Sequence, residues 1–282
     1  MPKSGFAVLI GRSNVGKSTL LNALVGSKIA ITTPKPQTTR LPVQGIITDP
    51  RGQVVFVDTP GIMQKARDAL TKRLLQYAKN SLNDVDVILY VVDPTRAIGN
   101  EEHQSLHLIE TLNKPKILVI NKIDAYKKPY MSSYQALADK FDEVIEVSAL
   151  RGTNLKALVM MCFERLQEGE FYYPEFQISS MPQEQWVAEL IREKLFLRLR
   201  EEVPYSTHVE VDEMRSRPDG SLFIAARILT NAERYKSMII GAGGRGVKEI
   251  GQSVRKELEG IGDRKVFLEL HVETDPHWVE RL

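Results

Sequence analysis

The chain has 282 residues, 43% hydrophobic and 26% charged, with a formal net charge of +2; that is the length of two ordinary domains and the composition of a globular protein. So small a net charge excludes nucleic-acid binding through bulk charge, and any such surface has to be a local patch. The single cysteine, Cys162, excludes an intramolecular disulfide, and no apolar stretch is long enough to span a bilayer, so a cytoplasmic protein is expected.

The first 167 residues alternate apolar strand-like runs with helical patterns. Strands are predicted at Phe6–Ile10, Val43–Thr48, Val54–Val57, Val87–Val92, Lys116–Asn121 and Val144–Val147. Helices are predicted after Lys17 and over 70–82, 101–113, 132–140 and 154–167. Runs such as Val87–Val92 are apolar throughout, as expected of strands covered on both faces, and the order predicts an α/β doubly wound domain over 1–167. Cys162 falls in the apolar run Leu158–Phe163 and reads as core.

Residues 168–182 carry Gly169, Pro174 and Pro182 among the aromatics Phe171, Tyr172, Tyr173 and Phe176. They read as a linker that packs onto a domain. From 183 to 282 the order changes to a long helix (Gln183–Glu202), strands at 206–215 and 221–230 joined by Pro218-Asp219-Gly220, helices at 235–240 and 245–260, and a last strand at 265–273. Trp186, Leu190, Ile191, Leu195 and Leu199 form the apolar stripe of the long helix. That α-β-β-α-α-β order predicts an α+β domain.

Between the first strand and the first helix lies Gly11-Arg12-Ser13-Asn14-Val15-Gly16-Lys17-Ser18-Thr19. Its first eight residues fit G-x-x-x-x-G-K-[ST] in the strand–loop–helix context that a phosphate-binding loop requires. The glycines let backbone N–H groups converge on phosphates, and the following helix adds its positive end. Lys17 is expected to reach the β- and γ-phosphates, and Ser18 to offer its hydroxyl to Mg²⁺.

Asp58-Thr59-Pro60-Gly61-Ile62 ends the third strand. Asp58 is expected to hold Mg²⁺ through water, and the Gly61 N–H to meet the γ-phosphate. The loop between Ser27 and Leu41 offers Thr38 and Thr39; either could reach the metal once a γ-phosphate is present, and Thr39 is preferred. Base choice is carried by Asn121-Lys122-Ile123-Asp124. A carboxylate at Asp124 can accept from N1–H and the exocyclic amine of guanine, which adenine cannot match. Ser148-Ala149-Leu150 would complete the base pocket through backbone N–H groups.

In the second domain, Gly241-Ala242-Gly243-Gly244 is a Gly-x-x-Gly loop between two helices, a turn that admits the backbone of a single nucleic-acid strand. Residues 176–282 hold 16 Lys+Arg against 18 Asp+Glu, yet Arg234, Lys236, Arg245, Lys248, Arg255 and Lys256 face only Glu233 and Glu249 around that loop. RNA contacts are expected from Gly241, Ala242, Gly243, Gly244, Arg245 and Lys248. His103 and His107 stand four apart on a helix without further ligands and read as a solvated face.

GRSNVGKS, PQTTR, DTPG, NKID and SAL, followed by the Gly-x-x-Gly unit, resemble the Era family of translation-factor-like GTPases over nearly the whole chain. The resemblance implies a P-loop GTPase domain joined to a type II KH domain. It implies GTP and GDP as ligands with Mg²⁺, hydrolysis carried by Lys17, Asn14, Thr39 and Gly61, and a monomer. It also implies binding to 16S rRNA and the 30S ribosomal subunit during assembly, with peripheral membrane contact as a further family property. Asn14 has two readings: it shapes the loop, or, as in relatives, it holds K⁺ against the phosphates. Ile62 stands where Ras-like proteins carry a water-orienting glutamine, so that side-chain role is absent. Ala242 stands where the family loop usually has a basic residue, which implies weaker phosphate attraction with Arg245 compensating. The alternative is a GTPase whose RNA-binding domain serves another ribosome-associated or membrane-signalling role; no lipidation motif supports the latter.

Overall fold

β1 (Lys3–Ile10) is apolar from Phe6 to Ile10, because both of its faces are covered there. Ala7 and Leu9 point into one core with α1 (Lys17–Val25), while Val8 and Ile10 point into another. In the computed structural model, which describes residues 1–60 and 85–281, β1 lies inside a six-stranded sheet. The remaining strands are β2 (Val43–Asp49), β3 (Gly52–Asp58), β4 (Val87–Val92), β5 (Lys116–Ile120) and β6 (Glu143–Glu146), in the order β2-β3-β1-β4-β5-β6. β3, β1, β4, β5 and β6 run parallel.

β2 is antiparallel to β3, with Asp49 opposite Gly52. A hairpin that short cannot carry a crossover, so the sheet is mixed and not uniformly parallel. α2 (Asn100–Glu110) and the short α3 (Met131–Gln135) supply Leu106, Ile109 and Tyr134 to the core holding Val8 and Ile10. α4 (Leu155–Arg165) supplies Leu158, Cys162 and Phe163 to the core shared with α1.

The helix expected over 132–140 is broken: α3 stops at Gln135 and a separate 3-10 turn spans Ala138–Lys140. The expected helix over 70–82 lies outside the described residues, as do Gly61 and Ile62. Segment 168–181 is held against β2 and β3. Ile46 donates its N–H to the Ile178 carbonyl (2.9 Å), and the Gln53 side chain brackets the Tyr173 backbone at 2.8 and 2.9 Å.

The chain divides into two units, Met1–Thr32 with Pro36–Met181, and Thr33–Lys35 with Pro182–Leu282. In the second, α5 (Gln183–Arg198) starts after Pro182 and ends when Leu199 turns extended, four residues short of the expected end. Val203–Ser206 is a 3-10 turn with Pro204 near its start, a residue that cannot continue the hydrogen-bond ladder. β7 (Thr207–Ser216), β8 (Leu222–Thr230) and β9 (Val266–Thr274) form a sheet in that order, β8 antiparallel to β7 and parallel to β9. Ile224, Ala226 and Ile228 on β8 face α5, α6 (Glu233–Ile240) and α7 (Arg245–Gly262). The opposite face of the sheet carries Arg227 with Glu210, Asp212 and Glu273. Among the described residues, no helix is long and apolar enough to cross a membrane.

Candidate functional site

Parallel strands release their chains at one edge of the sheet, and that edge collects the polar motifs. The loop after β1, Asp58 at the end of β3, Asp93 after β4, Asn121 after β5 and Ser148 after β6 all emerge there. The loop itself is shaped by Gly11 (φ 157°), Asn14 (φ 65°) and Gly16 (φ 98°). A Cβ on Gly16 would stand 2.5 Å from Asn121 Nδ2, so the approach needs glycine.

Five successive carbonyls of the loop accept from side chains, two of them from the loop's own Lys17. Lys17 Nζ donates to Gly11 O (2.8 Å) and Arg12 O (3.0 Å), and Arg96 Nη1 to Ser13 O (3.3 Å). Lys122 Nζ donates to Asn14 O (2.7 Å), and Asn121 Nδ2 to Val15 O (3.0 Å). With these carbonyls occupied, the N–H groups are left to converge on an anion. Burial lowers the Lys17 ammonium from its ordinary value, and the nearby Asp58 and Glu101 charges oppose that. An ammonium stripped of water in this way gains by meeting a phosphate.

Asp58 is fully buried, and burial pushes its carboxyl above the usual range against Lys17, Ser18 and Thr39. Its Oδ2 accepts from Ser18 Oγ (2.5 Å) and Thr39 Oγ1 (3.4 Å), and the two hydroxyls lie 3.1 Å apart. Its Oδ1 is buried with no hydrogen-bond partner among the described residues. A carboxylate oxygen without a donor, beside two hydroxyls, is a donor set of hard oxygens that fits Mg²⁺. Thr39 reaches the carboxylate at hydrogen-bond distance.

At the base-recognition end, Asp124 Oδ1 accepts from Ser148 Oγ (2.6 Å), which orients the carboxylate. Lys122 also pairs with Asp93 at 2.6 Å; burial opposes the Asp93 charge, but that bond and those from Thr95 hold its carboxyl below the usual range. The Ala149 N–H, expected at the base, instead donates to Asn121 Oδ1 at 3.0 Å. Leu150 is exposed, Thr59 Oγ1 donates to Leu9 O, and Val15 is core. The Arg12 side chain turns from the loop to Glu102 Oε1 (2.7 Å) on α2.

In the second unit, Gly241 (φ 70°), Gly243 (φ 59°) and Gly244 (φ 76°) make the turn between α6 and α7. A Cβ at Gly243 or Gly244 would meet nothing within 4 Å, so the loop tip faces open space. Gly246 is the opposite case: a Cβ there would lie 2.2 Å from Ile239 O. Arg245 Nε reaches back to Ala242 O (3.3 Å), and Lys248 is exposed. A groove of about 290 Å³ runs beside the loop between α7 and β9, with Val247, Gly251, Leu268 and Leu270 as its apolar floor and Lys248 and Arg255 at its sides. Sequence reasoning singled out the loop but missed Leu268 and Leu270, whose alternation along β9 was the available signal.

The sheet edge with its phosphate loop, buried carboxylate and guanine motif, together with the Gly-x-x-Gly unit, defines a guanine-nucleotide-binding protein that carries a KH-type domain. Comparison with known proteins places it more closely. A profile described as a 50S ribosome-binding GTPase matches residues 6–122, and one described as a KH domain matches residues 202–279. GTPase Era of Halothermothrix orenii is 44% identical over 284 residues, covering 99% of this chain and 95% of that protein. GTPase Era of Geotalea uraniireducens is 43% identical over 282 residues, covering 99% and 94%. A crystal structure of Era with MgGDPNP and nucleotides 1506–1542 of 16S ribosomal RNA superposes with a TM-score of 0.92 at 39% identity, covering 100% of this chain and 96% of that one. An Aquifex aeolicus Era variant bound to GDP and AlF4⁻ superposes with a TM-score of 0.91 at 39% identity, covering 99% and 96%. The chain belongs to the Era family of GTPases, and it is an enzyme that hydrolyses GTP to GDP and phosphate.

Proposed function

We propose that the protein is a GTP-driven switch that binds the 3′ region of 16S rRNA through its KH domain (183–282) and assists assembly of the 30S subunit in the cytoplasm. The GTPase domain is 1–167, with 168–182 as the linker. Lys17 and the N–H groups of Gly11–Thr19 hold the β- and γ-phosphates. Ser18, Thr39 and Asp58 would hold Mg²⁺, which when bound neutralises charge between those phosphates. Asp124, oriented by Ser148, selects guanine. With Ile62 in place of a water-orienting glutamine, acceleration falls to charge around the phosphates, to which a K⁺ would contribute if held by Asn14.

The observation that carries the RNA reading is the open Gly243–Gly244 tip beside an apolar groove flanked by Lys248 and Arg255. Such a site can take a phosphate backbone at the tip and unstacked bases in the groove. The 16S rRNA segment bound by a relative 39% identical over the full chain supports the choice of RNA. Crosslinking in cells with sequencing of the captured RNA tests it. Enrichment of the 16S 3′ end is expected; recovery of tRNA, mRNA or 23S rRNA without it would overturn the assembly role.

A further inference from the structure

Glu102 belongs to none of the nucleotide motifs, yet it is almost fully buried against the phosphate loop. Its two carboxylate oxygens are divided. Oε1 accepts from Arg12 Nη1 (2.7 Å) and stands 3.4 Å from the Tyr134 hydroxyl. Oε2 accepts the Gly99 N–H (3.0 Å) that opens α2. Its backbone carbonyl accepts from the Tyr90 hydroxyl (3.2 Å), which ties the first turn of α2 to β4. Arg12 Nη1 also donates to Ala97 O (3.3 Å), and Arg96 from the same segment donates to Ser13 O (3.3 Å). Burial works against the Arg12 charge, but the Glu102 bond and charge outweigh it and hold the guanidinium above its ordinary value.

A buried carboxylate is costly unless it is paired and hydrogen-bonded, and here its partners lie in the phosphate loop, on α3 and at the start of its own helix. Arg12 is therefore clamped at its tip, while its backbone is one of the residues that must present N–H groups to the phosphates. We infer that Glu102 is a positioning residue for the nucleotide site: through Arg12 it fixes the outer wall of the phosphate loop to the first turn of α2, and so slows nucleotide release. This rests on the phosphate-loop reading of Gly11–Ser18. Loosening the clamp leaves every nucleotide-contacting group in place but adds conformations the loop must lose on binding. The effect falls on phosphate grip, with base preference untouched.

The test uses the full chain with Mg²⁺ and a fluorescent GDP, reading the dissociation rate for the parent, Glu102→Gln, Arg12→Met and the double variant. Each single change is expected to raise the rate about tenfold. The double variant should be no faster than the faster single one, because both remove the same clamp. The preference for GDP over ADP and the circular-dichroism unfolding midpoint should move little in the double variant, which buries no unpaired charge. A Glu102→Gln rate within twofold of the parent, or rates that multiply in the double variant, would overturn the inference. Should Glu102→Gln fail to fold, Tyr134→Phe withdraws one contact to the carboxylate and is expected to raise the rate about two- to threefold; no change would overturn the inference equally. A parent chain that retained no GDP would instead refute the phosphate-loop reading itself.

Discussion

Gly246→Ala tests how the RNA loop is built. Gly246 is the second residue of α7, and its Cα is packed onto the C-terminal carbonyls of α6. A Cβ at that position would stand 2.2 Å from Ile239 O and 2.8 Å from Ile240 O. Both obstacles are backbone, so no side-chain rotation relieves them. Restoring ordinary contact requires the two helices to part by about 1 Å at the base of the loop. Overpacking of a rigid site costs about 2–3 kcal/mol. In a unit of roughly 100 residues this lowers the unfolding midpoint by about 10–20 °C.

Both tryptophans of the chain, Trp186 and Trp278, lie in the second unit, so intrinsic tryptophan fluorescence follows that unit alone. The variant should lose RNA affinity with that midpoint while GDP binding stays at the parent level. A midpoint within about 2 °C of the parent, with normal RNA binding, would refute the close-packing argument.

Asp124→Asn replaces the acceptor for the guanine donors by a group that also donates. GDP affinity is expected to fall about a hundredfold or more with preference moving to XDP, measured by competition against a fluorescent nucleotide; unchanged GDP affinity would contradict the role given to Asp124. Hydrolysis measured at equal ionic strength is expected to be about tenfold or more faster in K⁺ than in Na⁺, and equal rates would remove the cation role of Asn14. Burial pushes the Cys162 thiol up to about 12, so the thiolate is scarce at neutral pH as well as shielded. Thiol reagents should label it only in denaturant, and fast labelling of the native protein would place it outside the core.

The nucleotide motifs were legible because each is local: a glycine loop, a carboxylate at a strand end and an Asn-Lys-x-Asp turn declare themselves within a few residues. What the sequence hid was long-range. Glu102 and Arg12 are 90 positions apart, and the arginine reads as one more loop residue until its partner is known. Ala149 offers the same lesson, because nothing local says that its N–H is taken by Asn121. The residues of β2 carry no mark of its antiparallel direction, although Asp49-Pro50-Arg51-Gly52 is too short for a crossover. The break after Gln135 and the early end of α5 at Arg198 fall where helical periodicity continues in the sequence but the chain turns away to pack.

The most direct measurement of the central claim is binding of the full chain, with Mg²⁺ and a non-hydrolysable GTP analogue, to a labelled RNA of the 16S 3′-terminal sequence and to the same bases scrambled. The native sequence is expected to bind at least about tenfold more tightly. Gly243→Asp is expected to abolish most of that binding, because a carboxylate would occupy the open space before the loop, where the left-handed backbone tolerates aspartate. Equal binding of the two RNAs, or a Gly243→Asp chain that binds as the parent does, would contradict that claim.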